Sequence, residues 1–220
     1  MTGPEPSEVS VLVPAAGRGE RMGLGPKALL PLAGRPLVDW VVDKARQLGS
    51  EVLVACASGL PAPPGTIRVE GGATREETVE RLARQASRPW SLLWDAARPF
   101  ASLELAREVL AAAVETGAAT PCLTSTVRWF ALEGGRVTRA VPGSAFGVSQ
   151  NPQAYSTLLL QAVTELGRRE SWTAQSTVEL FLLAGHPVTS VPGEQLNIKL
   201  TTPDDLLLAQ ALQARLLSTG

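Results

Sequence analysis

Two hydrophobic textures alternate over the first 125 residues. The runs VSVLVPAA (9–16), EVLVACAS (51–58), TIRVEGG (66–72) and WSLLWDAARPF (90–100) hold short, nearly continuous apolar cores, the signature of strands covered on both faces. Between them, PLVDWVVDKARQLG (36–49), TREETVERLARQAS (74–87) and SLELAREVLAAAVETG (102–117) place apolar residues at helical spacing. Gly49 reads as a C-cap, Ser102 as an N-cap, and Thr74 with Glu77 as a capping box. This β-α-β-α order predicts an α/β fold with a mostly parallel sheet and helices on both faces.

Beyond the apolar AATPCLT the texture changes. VRWFALEGGRVTRAV (127–141) has two strand-like runs around EGG and predicts a β-hairpin. A lone hairpin is marginal in water, so it is expected to pack against the domain or a second subunit. Trp129 and Phe130 would be awkward on a solvated ribbon, which favours a homodimer built through an arm at 127–147. Helices are predicted at 154–169, 176–185 and 201–217, the last with Thr202 as cap and Pro203 at its first position, and a strand in PVTSVPG. The whole of 1–220 reads as one domain.

The formal net charge of −1 argues against a broad nucleic-acid or anionic-membrane surface, so any bound anion must meet a local cluster of cations. The N-terminus lacks a signal-peptide pattern and no apolar run approaches the roughly 20 residues of a membrane span, which predicts a cytoplasmic protein. Cys56 and Cys122 lack metal or disulfide spacing and read as buried thiols. The lone histidine, His186, follows a helix and reads as a cap or surface residue. Basic residues are nearly all arginine. The three lysines, Lys27, Lys44 and Lys199, therefore mark places where a compact ammonium is wanted instead of a planar fork.

The segment PAAGRGERMGLGPK, from Pro14 to Lys27, begins at the carboxyl end of the first strand, where parallel sheets bind ligands. Gly17 and Gly19 allow backbone N–H groups close to an anion, and Arg21 and Lys27 add two positive charges, a set suited to a polyphosphate. It is not a Walker A loop, because Pro26 precedes Lys27 and Ala28 follows it. Nor is it a dinucleotide fingerprint, because Met22 stands where the third glycine belongs.

AAGRGERM…PK, VEGGATREETV, LLWDAARP, SQNPQAY and NIKLTTPDDL follow one another in an order and spacing that resemble the 2-C-methyl-D-erythritol 4-phosphate cytidylyltransferases of non-mevalonate isoprenoid synthesis, over about residues 9 to 212. The resemblance implies a Rossmann-like nucleotidyltransferase sheet with a dimerisation arm. It implies transfer of CMP from CTP to a polyol phosphate with Mg²⁺, releasing pyrophosphate. Pro14, Ala15 and Ala16 would then border the cytosine with Gly72 and Thr78. Gly17, Gly19, Arg21 and Lys27 would wrap the triphosphate, Arg21 and Lys27 stabilising the pentacoordinate phosphorus. Asp95 would meet Mg²⁺ or a substrate hydroxyl, and Arg98 would order its loop or meet the acceptor. Lys199 would hold the acceptor's phosphate, with Thr126 and Asn151 on the same side. Asn197 reads as a turn former.

The departures fall mostly on the acceptor side. Ala73 replaces the family's aspartate after the paired glycines. Ser125-Thr126 and Arg128 replace Asp-Thr and a lysine, Asn151 replaces a threonine, and the segment Thr173 to Ser176 is altered. Gly143 stands where the family has an arginine for the acceptor's phosphate, contributed across the dimer, and Arg136 or Arg139 would have to substitute. These changes leave room for another acceptor, such as ribitol 5-phosphate, or for a relative that binds CTP without turnover. A nucleotidyltransferase for a different base is disfavoured by DAARP and NIK.

Overall fold

The computed structural model describes residues 3–17, 19, 23, 25–125 and 127–218, with side chains to residue 214. The chain runs β1 (Val9–Pro14), a short ribbon β2 (Pro31–Leu32) and β3 (Arg35–Pro36), α1 (Leu37–Ala45), β4 (Glu51–Cys56) and β5 (Ile67–Glu70). It continues through α2 (Arg75–Gln85), β6 (Trp90–Leu93), α3 (Leu103–Thr116) and β7 (Ala118–Thr124). The hairpin β8 (Trp129–Glu133) and β9 (Arg136–Val141) follows, then β10 (Gly147–Ser149) and β11 (Gln153–Ser156). The last elements are α4 (Thr157–Arg169), α5 (Thr177–Leu183), β12 (Thr189–Pro192) and α6 (Pro203–Ser218).

Among the described residues the main sheet has eight strands in the order β10-β7-β11-β6-β1-β4-β5, with β12 on the free edge of β7. β1 lies parallel between β4 and β6, which sets Leu12 opposite both Leu53 and Leu93. These three leucines pack with Val79, Leu82 and Leu160 on the face covered by α2 and α4. Their neighbours Val11, Val52 and Leu92 point the other way, against Val41, Leu105 and Val109 of α1 and α3. Continuous apolar runs follow from this, since a strand buried on both faces has no polar side.

Most predicted elements form, and the differences have physical causes. α1 stops at Ala45, and Gly49 is a contact residue: a Cβ there would lie 2.7 Å from the Val9 carbonyl oxygen. The cap of α2 is shifted from a simple capping box. Thr74 Oγ1 accepts from Glu77 N, but Glu77 returns its carboxylate to the N–H of Ala73. At α6, Thr202 and Asp205 do exchange bonds reciprocally. The predicted helix at 154–169 begins only at 157. Its first residues form β11, antiparallel to β6 and β7, with Tyr155 fully buried and its ring 4.6 Å from Phe181. The tertiary pairing on both edges outweighs the local pattern.

β8 and β9 form a sheet of their own, with a bulge at Ala131/Leu132. Its turn uses Gly134 and Gly135, both at positive φ. Trp129 stacks on Phe146 at 6.0 Å, yet Trp129, Phe130, Leu132 and Val137 stay exposed.

Candidate active site

The carboxyl ends of β1 and β6 and the first turn of α2 surround a cavity of about 560 Å³. Ten of the residues singled out from sequence line it: Pro14, Ala15, Ala16, Gly17, Gly19 and Lys27 on one side, Gly72, Thr78, Asp95 and Lys199 on the other. Arg21 and Thr126 lie outside the described residues.

Backbone closeness explains the small residues. A Cβ on Gly19, at φ +69°, would meet the Gly25 carbonyl oxygen at 2.2 Å, and Lys27 N donates to the Gly17 carbonyl at 3.4 Å. Gly17, Gly19, Gly25 and Lys27 thus lie close together near the strand end. A Cβ on Gly71 would strike Ala16 Cβ at 2.1 Å, so the two arms of the pocket touch there. Gly72 donates to Thr78 Oγ1 at 3.0 Å, and that hydroxyl donates to the Thr74 carbonyl at 2.8 Å. Thr78 therefore braces the loop from inside.

The charged lining is asymmetric. Among the described residues, three cations, Lys27, Arg75 and Lys199, face one carboxylate, Asp95. Asp95 is buried; Lys199 Nζ lies 2.8 Å from its Oδ2 and Arg75 Nη2 lies 3.3 Å from its Oδ1. Burial pushes the Asp95 carboxyl up, but Arg75 and Lys199 outweigh it and hold the group at about 2, so it is ionised at neutral pH.

Arg75 was not singled out from sequence, although a signal was there. It is the first residue of α2, where a cation opposes the helix dipole and needs a local anion to compensate. Asp95 supplies that anion, and Arg75 Nη1 also donates to Thr177 Oγ1 at 3.3 Å, at the start of α5.

Arg98 and Asn151 stand behind the cavity wall. Arg98 is buried and donates from Nη1 to the Asn197 carbonyl, which links its loop to the segment carrying Lys199. Asn151 donates to the Leu93 carbonyl at 3.3 Å, and its own carbonyl accepts from Asn197 at 2.7 Å. Asn197 makes the expected turn, its N–H bonding to the Glu194 carbonyl, and is also the buried joint between these segments. Leu200 N donates to the Ala97 carbonyl at 2.9 Å, which aligns the strand end carrying Asp95 with the segment carrying Lys199.

Gly143, where the resemblance would place an acceptor arginine, leaves no room for a side chain. A Cβ on Gly143 would lie 2.0 Å from the Val127 carbonyl oxygen and 2.9 Å from that of Ser125. Arg136 and Arg139 are exposed on β9 and do not line the cavity of their own chain. Nor is there a built metal cage: the described residues hold no cluster of three metal-ligating side chains, and both Asp95 oxygens are engaged by cations. A divalent ion at Asp95 would need further oxygen ligands from outside these residues.

The cavity thus sets a cationic side beside a small, backbone-lined pocket. The family model for 2-C-methyl-D-erythritol 4-phosphate cytidylyltransferase matches residues 9–215. The enzyme of that name from Thermus thermophilus is 44% identical over 207 residues, covering 93% of this chain and 97% of the relative. That from Deinococcus radiodurans is 36% identical over 216 residues, covering 96% and 93%. The crystal structure of the Thermus thermophilus enzyme superposes with a TM-score of 0.84 at 42% identity, covering 94% of this chain and 99% of that one. A synthase structure from Anaerococcus prevotii, 23% identical with a TM-score of 0.81 over 96% of this chain and 100% of that one, shares the fold. On this match of sequence and fold, the chain belongs to the 2-C-methyl-D-erythritol 4-phosphate cytidylyltransferase family.

Proposed function

We propose that the protein transfers CMP from CTP to 2-C-methyl-D-erythritol 4-phosphate, giving the CDP-alcohol and pyrophosphate. The observation that carries this reading is the Lys199–Asp95 pair at 2.8 Å, on the same cavity that Gly17, Gly19 and Lys27 line. It joins a nucleotide side and an acceptor side in one site.

The chemistry needs no protein nucleophile. An oxygen of the acceptor's phosphate attacks the α-phosphorus in line, the new P–O bond forms, and the bond to the bridging oxygen breaks with release of pyrophosphate. Lys27 neutralises the triphosphate and the charge that builds on the phosphorus; Arg21 belongs to the same loop. Lys199, held by Asp95 before the acceptor arrives, binds the acceptor's phosphate. Pro14, Ala15, Ala16 and Gly72 leave room for the cytosine. Bound with CTP, Mg²⁺ would help neutralise the triphosphate, with Asp95 the lining carboxylate nearest to hand. Two chains assemble through the arm, and the protein works in the cytoplasm. Among the described residues no helix is long and apolar enough to cross a membrane.

The test is pyrophosphate release with CTP, Mg²⁺ and methylerythritol 4-phosphate, run beside ribitol 5-phosphate. Release that depends on the first acceptor is expected. Release with ribitol 5-phosphate alone, or with neither, overturns the reading. The 44% identity to the Thermus thermophilus enzyme over most of both chains favours the first acceptor despite the altered acceptor-side motifs.

A further inference from the structure

Asp95 has two cationic partners, although one is enough to compensate a carboxylate. Lys199 is 39% exposed at its side chain and makes the shorter contact, 2.8 Å. Arg75 is 30% exposed, makes the looser 3.3 Å contact, and is tied a second time through Thr177 Oγ1. Lys199 is therefore the partner facing solvent, and Arg75 the one anchored between α2 and α5.

The Lys199 ammonium has three donors, but at 2.8 Å its charge is compensated by Asp95, and a phosphate takes it fully only as that contact is given up. The lysine's transfer would leave Asp95, whose side chain is 7% exposed, as a buried anion, and removing the partner of a buried charge is strongly unfavourable. The guanidinium of Arg75 removes that obstacle. Its fork has donors to spare, and its present contact is long enough to tighten when Lys199 leaves. Arg98 adds charge from farther away, but its Nη1 already serves the Asn197 carbonyl.

We propose that Arg75 is a positioning residue that retains the Asp95 carboxylate while Lys199 exchanges from Asp95 to the phosphate of the acceptor. Arg75 acts through Asp95 and Lys199 and touches no reacting atom. Without it, Lys199 stays on Asp95 and the acceptor side loses its cation. The nucleotide side, built from the glycine loop and Lys27, is left as it was. The inference rests on Lys199 serving the acceptor.

The experiment compares Arg75→Met, Arg75→Lys and Thr177→Val with the wild type. CTP affinity is measured by calorimetry without acceptor, and kcat and KM with whichever polyol phosphate the wild type turns over. Arg75→Met is expected to raise the acceptor's KM by about ten-fold or more and to leave CTP affinity as in the wild type. Arg75→Lys should recover most of the loss, because it restores a cation beside Asp95. Thr177→Val, which removes only the second tether, should shift KM the same way by less, and it carries the test if Arg75→Met does not fold. An unchanged acceptor KM overturns the proposal. So does a parallel loss of CTP affinity, which would make Arg75 a nucleotide ligand, or an equal loss in Arg75→Met and Arg75→Lys, which would make it a packing element. Turnover with ribitol 5-phosphate alone overturns the named activity and leaves this inference testable; turnover with no acceptor removes both.

Discussion

Arg98 donates from Nη1 to the backbone carbonyl of Asn197 at 2.6 Å, and both residues are buried. Asn197 in turn donates to the carbonyl of Asn151, so the segments DAARP, SQNPQ and NIKLTT meet at one joint. Three stretches far apart in sequence thus hold one another, and Asp95 and Lys199 are carried on the parts they hold. Arg98 ties these segments together from behind the cavity wall.

Lys44 supports the same joint from α1. Its Nζ donates to the carbonyls of Pro99 and Ala101, each at 2.8 Å, and burial lowers its pKa from the usual lysine value while nearby Glu194 raises it. An arginine there would bring a longer side chain with a planar fork to a part-buried place that a compact ammonium now fills. Lys44→Arg and Lys44→Met should both lower stability, by about 1–3 kcal/mol, in urea unfolding. A wild-type midpoint for Lys44→Arg would show that the site wants charge and not compactness.

Lys27→Ala should reduce kcat by about 10²-fold or more while the melting temperature stays near that of the wild type. Steady-state pyrophosphate release and thermal unfolding, measured on the same preparation, separate the two effects. An unchanged rate would mean that the glycine loop does not serve the triphosphate.

Gly143→Arg restores the residue type that the resemblance expects, yet it should harm the protein. The Val127 carbonyl oxygen, 2.0 Å from where the Cβ would lie, must move first. A loss of about 1–3 kcal/mol with no gain in acceptor affinity is expected. A variant of wild-type stability with a lower acceptor KM would contradict this account of the closed position.

Acid should destabilise the fold through Asp95. Its folded pKa of about 2 lies below the roughly 3.9 of an unfolded aspartate. The ionised carboxylate therefore contributes its full stabilisation above about pH 4, and that contribution is lost as pH falls from about 4 towards 2. Asp205, also held at about 2 by hydrogen bonds from Thr201 and Thr202 that outweigh its desolvation, adds to the same window. Urea midpoints at pH 3 and pH 7 should differ less for Asp95→Asn than for the wild type; equal differences would refute the linkage.

Phe130→Asp on the exposed arm should shift sedimentation from dimer towards monomer at micromolar concentration. A wild-type protein that is already monomeric there would rule out assembly through the arm.

The strands and helices around the core were legible because their apolar residues repeat at periods of two and 3.6, which depend on local geometry alone. Thr74, Ser102 and Thr202 were legible as caps for the same reason: a cap bonds within three residues. The glycine loop, Lys27, Asp95 and Lys199 could be placed on one site because they follow strand ends or quoted motifs. What needed the tertiary structure was every relationship set by distant partners. β11 became a strand because β6 and β7 offered it two edges. Gly49 is small because β1 passes beside it, and Gly143 because the Val127 backbone does. Arg75 entered the site because Asp95, 20 residues on, provides the charge that its position at a helix start lacks. Local hydrogen bonds and periodicity are written in consecutive residues; close approach and charge compensation arise only when the chain has folded back on itself.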